Sequence, residues 1–256
     1  MLAQMRPNKV KHKLDRGEVA TVLMGEMTPD LVESFGPMGF DGIWIEGEHG
    51  PIDFANIRDL TRAADLWGMT SVARVNLNLP GVIYRTLDQG AQAIVVPHVN
   101  TVEQAKNIAR ASRYFPDGHR GIGGGRAHYY GVNVSRSEST LFVNDNILLI
   151  PMMEEVESIE NLNGIASVEG VDVIHVAPGD LGQSMRNASQ KDVWAVMDDI
   201  VPKIRAAGKW VGVGGNSPME TQRVKDLIGK GANMVTISSQ ALLMHSAKNF
   251  LGTVKG

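Results

Sequence analysis

Short apolar runs alternate with longer amphipathic segments along almost the whole chain, and this alternation limits the possible folds more than any other feature. A short run that is apolar at consecutive positions suits a strand covered on both faces, which is the situation in a parallel sheet. Parallel neighbours need a crossover long enough to hold a helix. The runs predicted as strands are Val19–Met24, Gly42–Glu46, Ser71–Arg74, Ala93–Val96, Leu148–Met152, Asp172–Ala177, Lys209–Val213 and Met234–Ile237. Helical patterns follow them, as at Phe54–Trp67, Val102–Arg113 and Val193–Ala206. Gly68-Met69, Gly90-Ala91, Gly170 and Gly208 supply the stops that return the chain to the next strand. Eight such units predict an α/β chain closed into a (β/α)8 TIM barrel, and 256 residues is the length of one barrel domain. No repeat, low-complexity tract or linker divides it. The irregular stretch is Phe115–Asn146, rich in Gly, Asn and Ser, and a loop of that length inside a compact domain is expected to be functional.

Composition removes several classes of function. A net charge of -3 provides no electrostatic footprint for nucleic acid or an anionic membrane. The absence of cysteine excludes disulfides, zinc–thiolate sites and a thiol nucleophile. The basic N-terminus, MLAQMRPNKVKHKLDRG, lacks the apolar stretch of a signal peptide, and the longest apolar run, Ile147 to Met153, is too short to span a bilayer. A soluble, cytoplasmic protein is expected.

In a barrel of this kind reactive groups sit just past the C-terminal ends of the strands. Glu46-Gly47-Glu48-His49 follows the second predicted strand and Arg74 ends the third. Pro97-His98 follows the fourth, Glu154 and Glu155 the fifth, and Asp180 the sixth. Glu154 and Asp180 are 26 positions apart, about one βα unit, so they fall on neighbouring strand ends. Paired carboxylates there suit a hard divalent cation, Mg2+ or Mn2+ with Co2+ as a further candidate. Each alone reads first as a helix-capping or first-turn acid, and only the pair raises the metal reading to equal standing. Arg74 has a planar fork that matches a substrate carboxylate in two-point contact, but an ion pair with Glu46 or Glu48 explains its position as well. His49 is a proton carrier suited to neutral pH, or a solvent-facing loop residue ahead of Pro51. His98, His128 and His175 have no partner identifiable from sequence. The one lysine in a predicted strand, Lys209, sits at the strand's start, so an imine-forming lysine at the mouth is poorly supported. Gly121-Ile122-Gly123-Gly124-Gly125-Arg126 has neither the strand–helix context of a dinucleotide loop nor a Gly-Lys-Ser/Thr, and is read as a mobile loop over the barrel mouth.

Four segments together resemble the HpcH/HpaI metal-dependent aldolases: Asp41 to Pro51 (DGIWIEGEHGP), Leu87 to Gln92 (LDQGAQ), Val95-Val96-Pro97, and Ala177-Pro178-Gly179-Asp180-Leu181. The resemblance runs from about Gly17 to Leu243. It implies reversible cleavage of a 4-hydroxy-2-oxo acid, of the 2-keto-3-deoxy or hydroxy-oxo diacid type, to pyruvate and an aldehyde. Carried over by position, it implies that Glu154 and Asp180 ligate the cation and that Arg74 holds the 2-oxo acid. His49 would be the base, made more basic by Asp88, and the backbone at Gly179 would help bind the substrate carboxylate. It also implies a homotrimer or homohexamer. The chain departs from the pattern at Met152, where a glutamine is usual, at Glu46, where an aspartate is usual, and across Gly123–Gly131. A CoA-ester lyase or other enolate-forming lyase on the same barrel is the nearest alternative; an inactive barrel serving as a binding module is the alternative of another class.

Overall fold

The computed structural model describes residues 5–255; the first four residues of the basic N-terminus lie outside the described residues. Eight parallel strands close into a barrel in sequence order: β1 (Ala20–Met24), β2 (Gly42–Glu46), β3 (Thr70–Arg74), β4 (Ala93–Val96), β5 (Leu148–Met153), β6 (Val173–Val176), β7 (Trp210–Asn216) and β8 (Met234–Ser238). Around and between them run α1 (Lys9–Asp15), α2 (Pro29–Phe35), α3 (Phe54–Leu66), α4 (Pro80–Asp88), α5 (Val102–Ser112), α6 (Arg136–Asn146), α7 (Val156–Glu160), α8 (Leu162–Ala166), α9 (Pro178–Ser184), α10 (Gln190–Ala206), α11 (Thr221–Gly229) and α12 (Ser239–Lys255). The expected fold forms, with strand ends shifted by a few residues at most.

Two apolar layers hold the barrel. Inside, Val22, Trp44, Val72, Val95, Ile150, Met152 and Met234 interdigitate; outside, Ile43, Ile94, Leu149, Ile174 and Val213 meet the inward faces of the helices. The helices start where the sequence supplies side-chain acceptors for otherwise unpaired N–H groups. Asp53 with Asn56 and Thr101 with Gln104 make reciprocal capping boxes at the starts of α3 and α5. The N-terminal end of the barrel is plugged by α1, whose Val10 and Leu14 enter the interior cluster. Asn8 ties that plug down by donating to the carbonyls of Gln92 and Asn146.

Two expectations about Phe115–Asn146 are corrected. Its last third is not loop: Ser135 and Glu138 form a capping box that starts α6. The glycine-rich segment does not cover the mouth. Helices α3 and α4 return the chain to the starts of β3 and β4, so their last residues lie at the foot of the barrel. Arg126 ion-pairs with Asp65 of α3, and Arg120 with Asp88 of α4 at 2.6 Å. The segment therefore packs under the N-terminal end.

Candidate active site at the barrel mouth

Glu46, the last residue of β2, organises the mouth. Its Oε1 accepts from the N–H groups of Glu48 and His49 at 2.8 and 3.1 Å, which folds the turn back onto the strand end. Gly47 is required there, because a Cβ would come 2.5 Å from the carbonyl oxygen of Arg74. Arg74 is paired with both glutamates: Nε donates to the two carboxylate oxygens of Glu46 at 3.0 and 2.8 Å, and Nη2 lies 2.6 Å from Oε2. On the other side Nη1 is 2.8 Å from Glu48 Oε2, although that oxygen accepts no well-directed hydrogen bond. Nη1 also meets the Met152 thioether at 3.7 Å, a weak acceptor. The guanidinium is thus locked in place while one edge faces a group that scarcely uses it. Burial pushes the Glu46 carboxyl up, but the Arg74 hydrogen bond and charge, with the two backbone donors, hold it below the usual carboxylate range.

Just past the end of β5, Glu154 is 1% exposed. Its Oε1 accepts from the backbone N–H of His98 at 2.7 Å, and Oε2 has no hydrogen bond among the described residues. Burial raises its carboxyl above the usual range, and the charges of Asp180 and Glu48 add to the rise; the His98 N–H and ring offset only part of it. Asp180 stands in the first turn of α9, half-buried and free of ion pairs and hydrogen bonds among the described residues. Gly179 precedes it, exposed, with open space where a Cβ would be. The mouth thus holds carboxylates that raise one another's proton affinity with too few cations to offset them.

Of the residues singled out by sequence, the barrel brings Arg74, Glu154, Asp180 and Gly179 to one end, with His49 at the rim, exposed, its Nε2 3.7 Å from Glu48. Asp88 is not among them. It ends α4 at the foot of the barrel, bound to Arg120, so within one chain it does not reach His49. Two further groups join the mouth. Glu48 lies between Arg74 and the histidines, and His98 points Nδ1 at Glu155 (2.7 Å) and Nε2 towards Glu48 (3.5 Å). His98 has a φ of 54°, a left-handed backbone uncommon outside glycine, and such strain collects at functional sites. Its only sequence signal was its place after Pro97 at a strand end. Burial lowers the His98 pKa, but the Glu155 hydrogen bond and the charges of Glu154, Glu155 and Glu48 raise it overall. No group of three or more His, Cys, Asp or Glu side chains among the described residues is placed to hold a metal ion by itself. No helix among them is long and apolar enough to cross a membrane.

Known proteins share this framework. The HpcH/HpaI aldolase/citrate lyase family matches residues 22–247. A 2-keto-3-deoxy-L-rhamnonate aldolase of Shigella sonnei (strain Ss046) is 32% identical over 247 residues, 94% of this chain and 90% of the relative. A hydroxypyruvate/pyruvate aldolase of Pseudomonas aeruginosa is 32% identical over 254 residues, 97% of this chain and 93% of the relative. The crystal structure of a HpcH/HpaI aldolase/citrate lyase family protein from Burkholderia cenocepacia J2315 superposes with a TM-score of 0.88 at 26% identity, covering 97% of this chain and all of that one. A barrel closed in sequence order, carboxylates and a locked arginine at its mouth, and a match over nearly the full length have one common origin: the chain belongs to the HpcH/HpaI aldolase/citrate lyase family.

Proposed function

We propose that the protein is a divalent-metal-dependent aldolase that reversibly cleaves a 4-hydroxy-2-oxo acid to pyruvate, or a close relative, and an aldehyde. The observation that carries this is the meeting of Glu154 and Asp180, carboxylates whose one cationic neighbour is the His98 ring 3.6 Å from Glu154, with the locked guanidinium of Arg74 at one barrel mouth. Their chemistry fits Mg2+ or Mn2+: Glu154 Oε2 and the Asp180 carboxylate are uncommitted oxygens, and a hard cation of this type accepts few protein ligands and fills its remaining positions with water and substrate. When bound, the cation supplies Lewis-acid polarisation of the 2-oxo carbonyl.

The chain's own residues do the rest. Arg74 directs the Nη1 edge at the carbonyl oxygen, where negative charge develops as the C3–C4 bond breaks. The N–H of Gly179 faces the substrate carboxylate. His49 takes the proton from the 4-hydroxyl; the electron pair of that O–H bond forms the aldehyde carbonyl, and the pair of the C3–C4 bond becomes the enolate. A proton delivered to C3 completes pyruvate. Because Asp88 lies at the foot of its own barrel, it serves the His49 of a neighbouring subunit in a homotrimer or homohexamer. The apolar side chains that α12 exposes, among them Leu243, Met244 and Phe250, support an oligomer. A CoA-ester substrate would call for spare cationic groups at the mouth, whereas Arg74 is already held by two glutamates.

Glu154→Gln and Asp180→Asn test the cation assignment. Each is expected to abolish Mn2+ binding, read by electron paramagnetic resonance, and pyruvate release, while the circular dichroism spectrum is unchanged. Near-parental Mn2+ affinity in either variant contradicts the assignment.

A further inference from the structure

His175, on β6, has no task in the chemistry described so far. The strand register places it opposite Met152 of β5 on one side and Gly212 of β7 on the other. It therefore belongs to the barrel interior beside the thioether that meets Arg74, one layer below Glu154, and like Met152 it is 3% exposed. The ring stacks obliquely on Trp44, with centroids 5.1 Å apart and planes at 49°. On its other side it occupies room left by glycines. A Cβ at Gly212 would collide with Nδ1, and one at Gly214 would come 2.9 Å from Nε2. Gly214 is further along β7 towards the mouth, so the ring is directed mouthward with Nε2 leading.

Neither ring nitrogen has a protein partner: Nδ1 is sealed from solvent without a hydrogen bond, and none is formed by Nε2 among the described residues. Burial, then the charge of Arg74, pushes the His175 pKa down to about 3, so the ring is neutral and offers one donor and one acceptor. An apolar side chain would fill this position without leaving a buried polar group unpaired, which is costly. The indole N–H of Trp44 is already given to Glu46.

We infer that His175 is a specificity-determining residue of this site: its Nε2 hydrogen-bonds the substituent on carbon 3 of the 2-oxo acid, so that a donor with a hydroxyl there is preferred over one with a bare methyl group. The inference rests on the aldolase reading. The Gly179 N–H and the charged groups at the mouth hold the carboxylate and the carbonyl oxygen, which leaves the uncharged end of the molecule to face an uncharged floor made of the Met152 thioether and the His175 ring. A hydroxyl gives or accepts a hydrogen bond and so satisfies either tautomer of the imidazole. A methyl group satisfies neither.

The test compares deuterium exchange at carbon 3 of pyruvate and of 3-hydroxypyruvate in the Mn2+-loaded parent, His175→Phe and His175→Gln. In His175→Phe, kcat/KM for 3-hydroxypyruvate is expected to fall about tenfold or more relative to pyruvate, because a site built around a hydroxyl loses discrimination with its partner. The loss is expected chiefly in KM. His175→Gln keeps a donor and an acceptor and is expected to restore part of the preference; His175→Leu carries the same comparison if the phenylalanine variant does not fold. A readout independent of turnover is the 15N shift of the His175 ring, expected to move more with 3-hydroxypyruvate than with pyruvate. Equal losses on both donors, or a ring shift indifferent to the hydroxyl, assigns His175 to packing alone and overturns the inference. Exchange of neither donor by the parent overturns the aldolase reading and this role with it, a result distinct from equal losses in the variants.

Discussion

Arg74 shows how one side chain satisfies two readings that the sequence leaves as alternatives. It is an ion-pair partner, of Glu46 and Glu48 together, and the pairing aims its remaining edge into the mouth. Lysine, a compact point charge on a flexible stem, cannot hold both glutamates and keep a planar edge free. Arg74→Lys is therefore expected to fold and bind Mn2+ while proton exchange at the pyruvate methyl group falls ~100- to 1000-fold, the usual effect of removing one donor aimed at developing charge. Exchange near the parental rate with a lower melting temperature would leave Arg74 a structural role only. Glu154 and Asp180 were legible as candidates because carboxylates at neighbouring strand ends are unusual beside apolar strands. Glu48 and His98 were legible as strand-end groups but not in what they face, and His175 not as part of the site, for particular reasons. The turn locked by Glu46 decides where Glu48 points, a left-handed backbone decides where His98 points, and His175 sits within an apolar strand whose glycine neighbours belong to another segment.

The strands were readable because each is an apolar run bounded by turn residues, and closure of the barrel followed from their number. Helix α6 was missed because its sequence, RSESTLFVNDN, has little apolar periodicity; the signal present was the Ser135/Glu138 cap, which sets a start without a stripe. Strand β7 ran past its expected end, to Asn216, through Gly214 and Gly215, with an irregular register against β8. Gly212 and Gly214 serve β6 as much as β7, because a Cβ on either would meet the His175 ring. Gly212→Ala would drive a methyl group into the His175 ring and is expected to destabilise the fold by about 1–3 kcal/mol, as overpacking does, read as a lower urea midpoint. In a His175→Ala background the same substitution is expected to cost clearly less, because contacting residues are not additive. Equal costs in both backgrounds would show that the ring is not what the methyl group meets.

On the scale of the whole molecule, closure in sequence order gathers residues from β2, β3, β5 and α9 at one end and leaves Asp88 and the glycine-rich segment at the other. The resemblance suggests that Asp88 and His49 act together, but the βα order already puts Asp88, just ahead of the fourth strand, at the opposite pole. If the pair acts between subunits, an oligomer reassembled from His49→Ala and Asp88→Ala chains is expected to contain some complete sites and regain activity that neither variant has alone. Mixed oligomers with no recovery would remove Asp88 from the proposed mechanism. The central claim, that this mouth makes and stabilises an enolate with the help of a divalent cation, is tested most directly by proton–deuterium exchange at the methyl group of pyruvate, which requires no knowledge of the aldehyde. Exchange is expected in the parent protein, lost after chelation, restored by Mg2+ or Mn2+, and unaccompanied by any borohydride-trapped adduct on lysine. Exchange that is indifferent to chelation, or a pyruvate adduct trapped on a lysine, would contradict it.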